Sequence, residues 1–324
     1  KEFGYKSVTV CEKPNVIRET SGMMRAEGKK IAADFPDIEM WETNIDAQTM
    51  WLTKNPEDYG VIVAGNMFGD IISDGFAGLV GGLGINVAHE LIHKDGKLET
   101  RGGGFLLSLV CYAGFKVEHL RGHHVHVSTP GDASSSRYNQ SLYSFLPQAY
   151  LRNFLNAWKL EAQRLERKGE KAFSWRNELI WWYSISALVF VGFTVAFGWL
   201  GAVFFLGQSF IAFTLLEIVN YLEHYGLHRR KLDNGRYERT TPEHSWNSNY
   251  FLTNVFLFHL QRHSDHHAYA KRRYQVLRHH DIAPQLPAGY AAMIVLATIP
   301  PLWKRIMNPR VEAYYRGEEH QLAS

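Results

Sequence analysis

The pattern of apolar and polar positions divides the chain into two stretches built for different surroundings. Residues 1 to about 84 read as a soluble α/β segment. Ser7-Val8-Thr9-Val10 alternates like a strand, Asn15 to Ala33 carries helical periodicity, and Ile38-Glu39-Met40-Trp41 is a second strand. A helix is expected from about Ala47, and Tyr59-Gly60-Val61-Ile62-Val63-Ala64 is a continuous apolar run of the kind buried in parallel sheets. Later in the chain the pattern changes. From Leu179 to Leu216 there are 38 consecutive positions without a charge, close to two membrane crossings at about 20 residues each. Phe197-Gly198-Trp199-Leu200-Gly201 interrupts the run, which predicts helices near 179–197 and 202–222 folded as a hairpin. A buried helical pair in a large soluble core fits so long an uncharged run poorly.

Flanking charge orients that hairpin. Arg164, Arg167, Lys168, Lys171 and Arg176 precede it, and Arg229, Arg230, Lys231, Arg236 and Arg239 follow it. Both open ends are basic and the tip is not, so both ends are expected on the cytoplasmic side, in a bacterial inner membrane. The charged, amphipathic stretch from Asn156 to Glu178 is expected along the interface or in water. Gly289 to Trp303 is apolar but broken by Pro300-Pro301, and reads as a half-inserted or interfacial piece.

Composition adds little. Lys and Arg (35) nearly balance Asp and Glu (32), and no run of like charge resembles a nucleic-acid tail, so no nucleic-acid partner is expected. Cys11 and Cys111 form neither a disulfide framework nor a Cys-x-x-Cys knuckle. With Lys1 first and no leader pattern, the chain reads as the interior of something longer.

Histidine carries the chemistry. Nine of the sixteen fall in tight groups: His89 with His93; His119 with His123 and His124; His224; and His263 with His266 and His267. Spacings of three and four place side chains on one helix face, and neutral imidazole is a transition-metal ligand. Nine ligands exceed what one tetrahedral ion takes, so the count suggests two metals, at the cytoplasmic mouth of the membrane domain because His224 ends the second helix. His89-Glu90-Leu91-Ile92-His93 also matches the HExxH zinc-protease pattern, but a peptidase would leave the other groups without a role. Gly122 is expected to relieve crowding between the adjacent imidazoles. Glu118, Glu223 and Asp265 each neighbour a candidate ligand and are expected to accept an imidazole N–H. His259, four before His263, is set aside.

The full set resembles the membrane-bound alkane hydroxylases (alkane 1-monooxygenases) of the fatty acid desaturase and hydroxylase superfamily. The residues that carry it are AHELIHK at 88–94, EHLRGHHVHVSTPGDASSSR at 118–137, NYLEHYGL at 220–227 and LQRHSDHHA at 260–268. The resemblance implies two iron ions held by the nine histidines. It also implies O2 activation, insertion of oxygen at a terminal methyl group of an alkane, and electrons delivered by an external rubredoxin. An apolar cavity between helices would suit such a substrate. A desaturase or hydroxylase acting on fatty-acyl chains is the alternative within the superfamily.

Residues 1 to about 84 resemble the isocitrate and isopropylmalate dehydrogenases instead, in Glu12-Lys13-Pro14-Asn15, Asn44-Ile45-Asp46 and Asn66-Met67-Phe68-Gly69-Asp70-Ile71-Ile72-Ser73-Asp74. That resemblance implies a catalytic role for Lys13 and a vestigial Mg2+ or Mn2+ site at Asp46, Asp70 and Asp74, since carboxylates four apart at a helix start suit a hard cation. The substrate-binding arginines and catalytic tyrosine of those enzymes would lie before Lys1, so no working dehydrogenase is expected. Gly81-Gly82-Leu83-Gly84 is a natural crossover. The chain therefore reads as a chimera, natural or an assembly artefact. Residues 1–84 form a truncated dehydrogenase-like α/β segment, and 85–324 form an all-α, alkane hydroxylase-like di-iron membrane domain truncated at its N-terminal end. The apolar stretch before His89, Gly75 to Ala88, is too short to cross a bilayer, so activity of the truncated chain is in question. An inert fusion is the remaining alternative.

Overall fold

A computed structural model describes residues 6–15, 17–45, 47–48, 51, 58–65, 84–250, 254, 257 and 259–316. Asp46, Asp70, Asp74 and the junction residues 81–83 lie outside the described residues. The chain divides into two compact units, Lys1–Val80 and Gly81–Ser324.

In the first unit β1 (Ser7–Glu12), α1 (Arg18–Ala33), β2 (Glu39–Asn44) and β3 (Val61–Ala64) form a parallel sheet of order β2-β1-β3 with one helix against it. Val8 stands opposite Met40 and Val61, so Val8, Val10, Met40 and Val63 share the face that meets Met24, Gly28 and Ile31 of α1. Gly28 lets the helix approach, since a Cβ there would lie 3.0 Å from the Met40 methyl. Burial of β3 is overturned: Val61 and Val63 are 39% and 36% exposed. β2 and β3 are both edge strands among the described residues, and α1 packs mainly on β1 and β2. An apolar cleft of about 220 Å³ remains beneath the helix. Lys13, half-buried, follows β1 directly. Its neighbour Glu12 is buried and accepts hydrogen bonds from Ser21 Oγ (2.8 Å) and Gly65 N (2.7 Å).

The second unit is helical: α2 (84–92), α3 (Lys97–Ser108), α4 (114–126), α5 (Leu142–Glu166), α6 (Glu178–His224), α7 (His263–Ala268), α8 (Tyr290–Ala297) and α9 (Pro300–Tyr314). α6 is 47 residues long, and among the described helices it is the one long and apolar enough to cross a membrane. Gly198, at φ 64° and ψ −153°, breaks it where the sequence predicts the break. The halves fold back on each other: Phe193 packs on Phe204 and Phe205, and Phe190 on Phe205. Two helices of about 20 residues result, with Asn177 capping the first through Leu179 N at 2.9 Å. Near the tip the shaft exposes Val195 (81%) and Trp199 (73%), surface that water disfavours.

The base of the hairpin is held by polar contacts. Ser186 Oγ donates to Ser108 O (2.7 Å) and Gln208 Nε2 to Leu109 O (3.0 Å), tying both arms to the end of α3. Glu178 receives Lys116 (2.6 Å) and Arg121 (2.8 Å), which fixes α6 to α4. The largest core cluster packs Leu142 and Phe145 of α5 and Tyr221 and Tyr225 around α6's end against Met293 of α8 and Trp303 of α9. α8 has eight residues and ends ahead of Pro300-Pro301, so it does not span a bilayer.

A Cβ on Gly201 would lie 2.1 Å from the Phe193 carbonyl oxygen, whereas one on Gly207 meets nothing within 4 Å. Gly201→Val is therefore expected to force the arms apart, at about 1–3 kcal/mol, and to lower the thermal unfolding midpoint of the detergent-solubilised chain by several degrees. Gly207→Ala should leave the midpoint unchanged or slightly raised. Equal midpoints for the two variants would contradict this hairpin packing.

Candidate metal centre

Four helical segments supply the nine histidines. α2 carries His89 and, just past its last turn, His93; α4 carries His119, His123 and His124; α6 ends on His224; α7 carries His263, His266 and His267. Within α4, His119–His123 is a π turn whose i→i+5 bond runs from His124 N–H to His119 O. The wider turn brings His119 and His124, five apart, edge to face, so that their Nε2 atoms meet at 3.1 Å. Gly122 serves this turn differently from the sequence expectation. A Cβ there would lie 2.5 Å from Glu118 Oε1 and 3.3 Å from Leu160 Cδ1, so the glycine makes room for a buried carboxyl and a neighbouring helix rather than for imidazoles.

The rings converge in two groups: His89, His93, His119, His124 and His266; and His123, His224, His263 and His267. Within each, one candidate ligand atom per residue lies within 4.8 Å of the others. His93 Nε2 is 3.1 Å from His119 Nε2 and 3.2 Å from His266 Nε2; His267 Nε2 is 2.8 Å from His263 Nε2 and 3.1 Å from His123 Nε2. Donors about 2.1 Å from one ion at right angles stand about 3 Å apart, so these spacings suit a shared cation. His259 lies outside both groups.

The surroundings keep the rings neutral. Burial, reinforced by repulsion from neighbouring imidazoles, lowers the pKa of His89 to about 3 and those of His93, His119, His124, His263, His266 and His267 well below the usual histidine value. Neutral imidazole has one N–H and one lone pair, so several nitrogens facing one another cannot all be satisfied by hydrogen bonds. The Nε2 atoms of His89 and His224 are buried with no partner. Lone pairs gathered in a dry interior without donors are what a metal site requires.

Outer contacts aim the second group. His224 Nδ1 donates to the His244 carbonyl at 3.2 Å, which leaves Nε2 as the lone-pair nitrogen. His123 Nδ1 donates to Asp132 Oδ2 at 2.9 Å. Burial alone would raise the Asp132 pKa, but pairing with His123 and a hydrogen bond from Ser135 hold it down to about 2. Glu223 Oε2 lies 3.1 Å from His263 Nε2, while Tyr290 Oη donates to Glu223 Oε1 at 2.7 Å. Of the three acids singled out by adjacency, Glu223 thus reaches a candidate ligand, although it is His263 rather than the adjoining His224. The other two do not. Asp265 receives Arg272 (2.5 Å), His280 Nε2 (2.8 Å) and Arg278 N (2.9 Å). Glu118 is buried beside Gly122, its Oε2 unpartnered, its pKa raised by burial and by the Asp132 charge. Residues next to each other on a helix point about 100° apart, so the acid beside a ligand turns away from the cluster. Asp132 and His244, which do act on the rings, carry no spacing signal in the sequence. The space lined by His89, His266, Leu260 and Leu277 holds about 10 Å³, room for about one water.

The family described as fatty acid desaturase matches residues 75–297. The chain belongs to the fatty acid desaturase family. Isocitrate/isopropylmalate dehydrogenase matches residues 1–103, overlapping the desaturase match over 75–103, so both pedigrees expected from the motifs are present. Alkane 1-monooxygenase 2 of Pseudomonas aeruginosa is 77% identical over 244 residues, covering 75% of this chain and 65% of that protein. Alkane 1-monooxygenase 2 of Alcanivorax borkumensis is 71% identical over 246 residues, covering 76% of this chain and 64% of that protein. The chain thus spans slightly less than two thirds of these desaturase-family relatives. Protein DlpA of Legionella pneumophila is 49% identical over 84 residues, 26% of this chain and 14% of that protein.

The lowered histidine pKa values predict a pH dependence. A base whose folded pKa is depressed binds protons more readily when unfolded, so its stabilising contribution is present above about pH 6.5 and is lost as the pH falls below it. Each such histidine contributes up to about 1.4 kcal/mol per pH unit. The metal-free chain is therefore expected to unfold at a markedly lower temperature at pH 5.5 than at pH 7.5, with uptake of several protons. A midpoint indifferent to pH over that interval would contradict the buried, neutral cluster.

Proposed function

We propose that this chain carries the catalytic part of a membrane di-iron monooxygenase that hydroxylates the terminal methyl group of alkanes with O2 and electrons from an external rubredoxin. The observation that carries this reading is the pair of adjoining histidine groups, five and four rings, in a chain closely similar to proteins named alkane 1-monooxygenase. The unpartnered Nε2 atoms of His89 and His224 and the neutral rings around them suit borderline metals such as iron. His89, His93, His119, His124 and His266 would hold one ion; His123, His224, His263 and His267 would hold the other. The bound pair would supply the redox chemistry that activates O2.

The chain's own residues prepare the place. Burial keeps His89, His93, His119, His124, His263, His266 and His267 in their ligating form at neutral pH. Asp132 and the His244 carbonyl each take an Nδ1–H and so turn a lone pair inward. The α6 hairpin is long and apolar enough to lie in a bilayer, and the basic flanks at 164–176 and 229–239 favour a cytoplasmic position for the site, in a bacterial inner membrane. A fatty-acyl desaturase or hydroxylase is the second reading, favoured by the breadth of the family match.

Purified in detergent and loaded anaerobically with ferrous ion, the chain is expected to bind about two irons. With O2, reduced rubredoxin and a medium-chain alkane it should release the primary alcohol. An alkene from a fatty-acyl substrate would favour the second reading; one zinc, or no metal, would sink both. Asp132→Asn should weaken iron binding by about 10–100-fold in competition with a chelator, and an unchanged affinity would show that Asp132 does not orient His123. With isocitrate or isopropylmalate no NAD(P)+ reduction is expected.

A further inference from the structure

A cavity of about 460 Å³, with Asp132 in its wall, opens between the 128–138 loop and the segment that follows His224. The two walls are stitched together by Arg229 N to Ser128 O (2.8 Å) and Gly226 N to Ser136 O (3.1 Å). Five Arg and Lys side chains line it (Arg137, Arg152, Arg229, Arg230 and Lys231) against one carboxylate, Asp132. That carboxylate is already engaged by His123 Nδ1, Ser135 Oγ and Ser134 N. Arg230 is paired with Glu238 at 3.1 Å. The hydrogen bonds of Arg152 go to the carbonyls of Pro130 and Gly131, which carry no charge.

Arg229 is the decisive residue. It is 8% exposed, and its guanidinium donates to neutral oxygens: the Glu238 and Val125 carbonyls and Thr240 Oγ1. Its Nε is buried with no partner. The Asp132 and Glu238 carboxylates act on it through space only; burying a cation is costly unless an anion compensates it, and the walls supply cations in excess. Guanidinium forks match phosphate oxygens in geometry as well as charge.

We propose that this cavity is a binding site for a phosphate-bearing anion. The inference stands apart from the metal chemistry, since none of the nine histidines lines the cavity and binding there requires no iron. Two sources share the chemistry: a soluble phosphate compound and a lipid headgroup. The helix ends at His224, eight residues beyond Leu216, the last of the uncharged run, or about 12 Å of helical rise, and Gly226 follows it. That distance favours the soluble source.

The test titrates inorganic phosphate into the metal-free, detergent-solubilised full chain by calorimetry. Saturable binding is expected, weakened at least tenfold in the double variant Arg137→Gln/Lys231→Gln, whose changed side chains are exposed and leave the buried Arg229 in place. Lys304→Gln/Arg305→Gln, away from the cavity, should bind as the parent does. Repeating the titration in phosphatidylcholine vesicles with and without phosphatidic acid separates the sources. Phosphate binding in both membranes identifies a soluble occupant, and binding abolished only by phosphatidic acid identifies a headgroup. Absence of saturable binding in the parent chain, or equal binding in the parent and the Arg137/Lys231 variant, overturns the proposal.

Discussion

Nine imidazoles packed in a dry interior with their lone pairs facing one another set the terms for the second unit. Nitrogens 2.8–3.2 Å apart with too few hydrogens between them repel, and burial forbids relief by protonation. Such an arrangement is tolerable when a cation takes the lone pairs and the surrounding helices are anchored firmly enough to hold the rings without it. The anchors are visible. Glu178 and Glu161 join α4, α5 and α6 through Lys116, Arg121 and the Glu178 N–H, and Tyr290 fastens the start of α8 to Glu223 of α6.

The hairpin bears on the site through its length. Its second arm runs from the Gly198 break to His224, and uncharged residues end at Leu216. The last turns, with Glu217, Asn220, Glu223 and His224 all buried, are therefore the part of that helix which leaves an apolar environment for a polar protein interior. A buried carboxylate such as Glu217 would be prohibitive against lipid, yet here it accepts from Asn153 Nδ2 (2.9 Å) and the Tyr112 hydroxyl. One helix thus serves two solvents in sequence, and the histidine stands at its polar end.

Much of this was legible in the amino-acid pattern. Period-two and period-3.6 hydrophobicity located β1, α1 and β2, because each buries a face set by local geometry, and the length of the uncharged run with its glycine break located both arms of α6. Histidine spacing picked out the nine rings because i, i+3 and i, i+4 positions share a helix face. What the pattern missed depends on segments meeting in space. Asp132 reaches His123 through a loop, the His244 carbonyl reaches His224 from twenty residues away, and the exposure of β3 follows from α1 packing mainly on β1 and β2. The π turn is a case between the two. Nothing in His119-Leu120-Arg121-Gly122-His123-His124 announces i→i+5 bonding, yet the glycine that permits Glu118 to tuck beneath it is present in the sequence.

The two histidine groups do not share one electrostatic environment. The four-ring group has carboxylates at its edge: Asp132 on His123 and Glu223 on His263. The five-ring group has Lys94 close enough to disfavour protonation of His89, His93 and His266, and Lys94 is itself paired with Glu90 at 2.5 Å. A positive charge placed among the four rings meets the Asp132 carboxylate held on His123, whereas among the five Lys94 adds its own charge. In a low-dielectric interior such a difference acts strongly. That asymmetry arises from Asp132 and Lys94 rather than from the histidines.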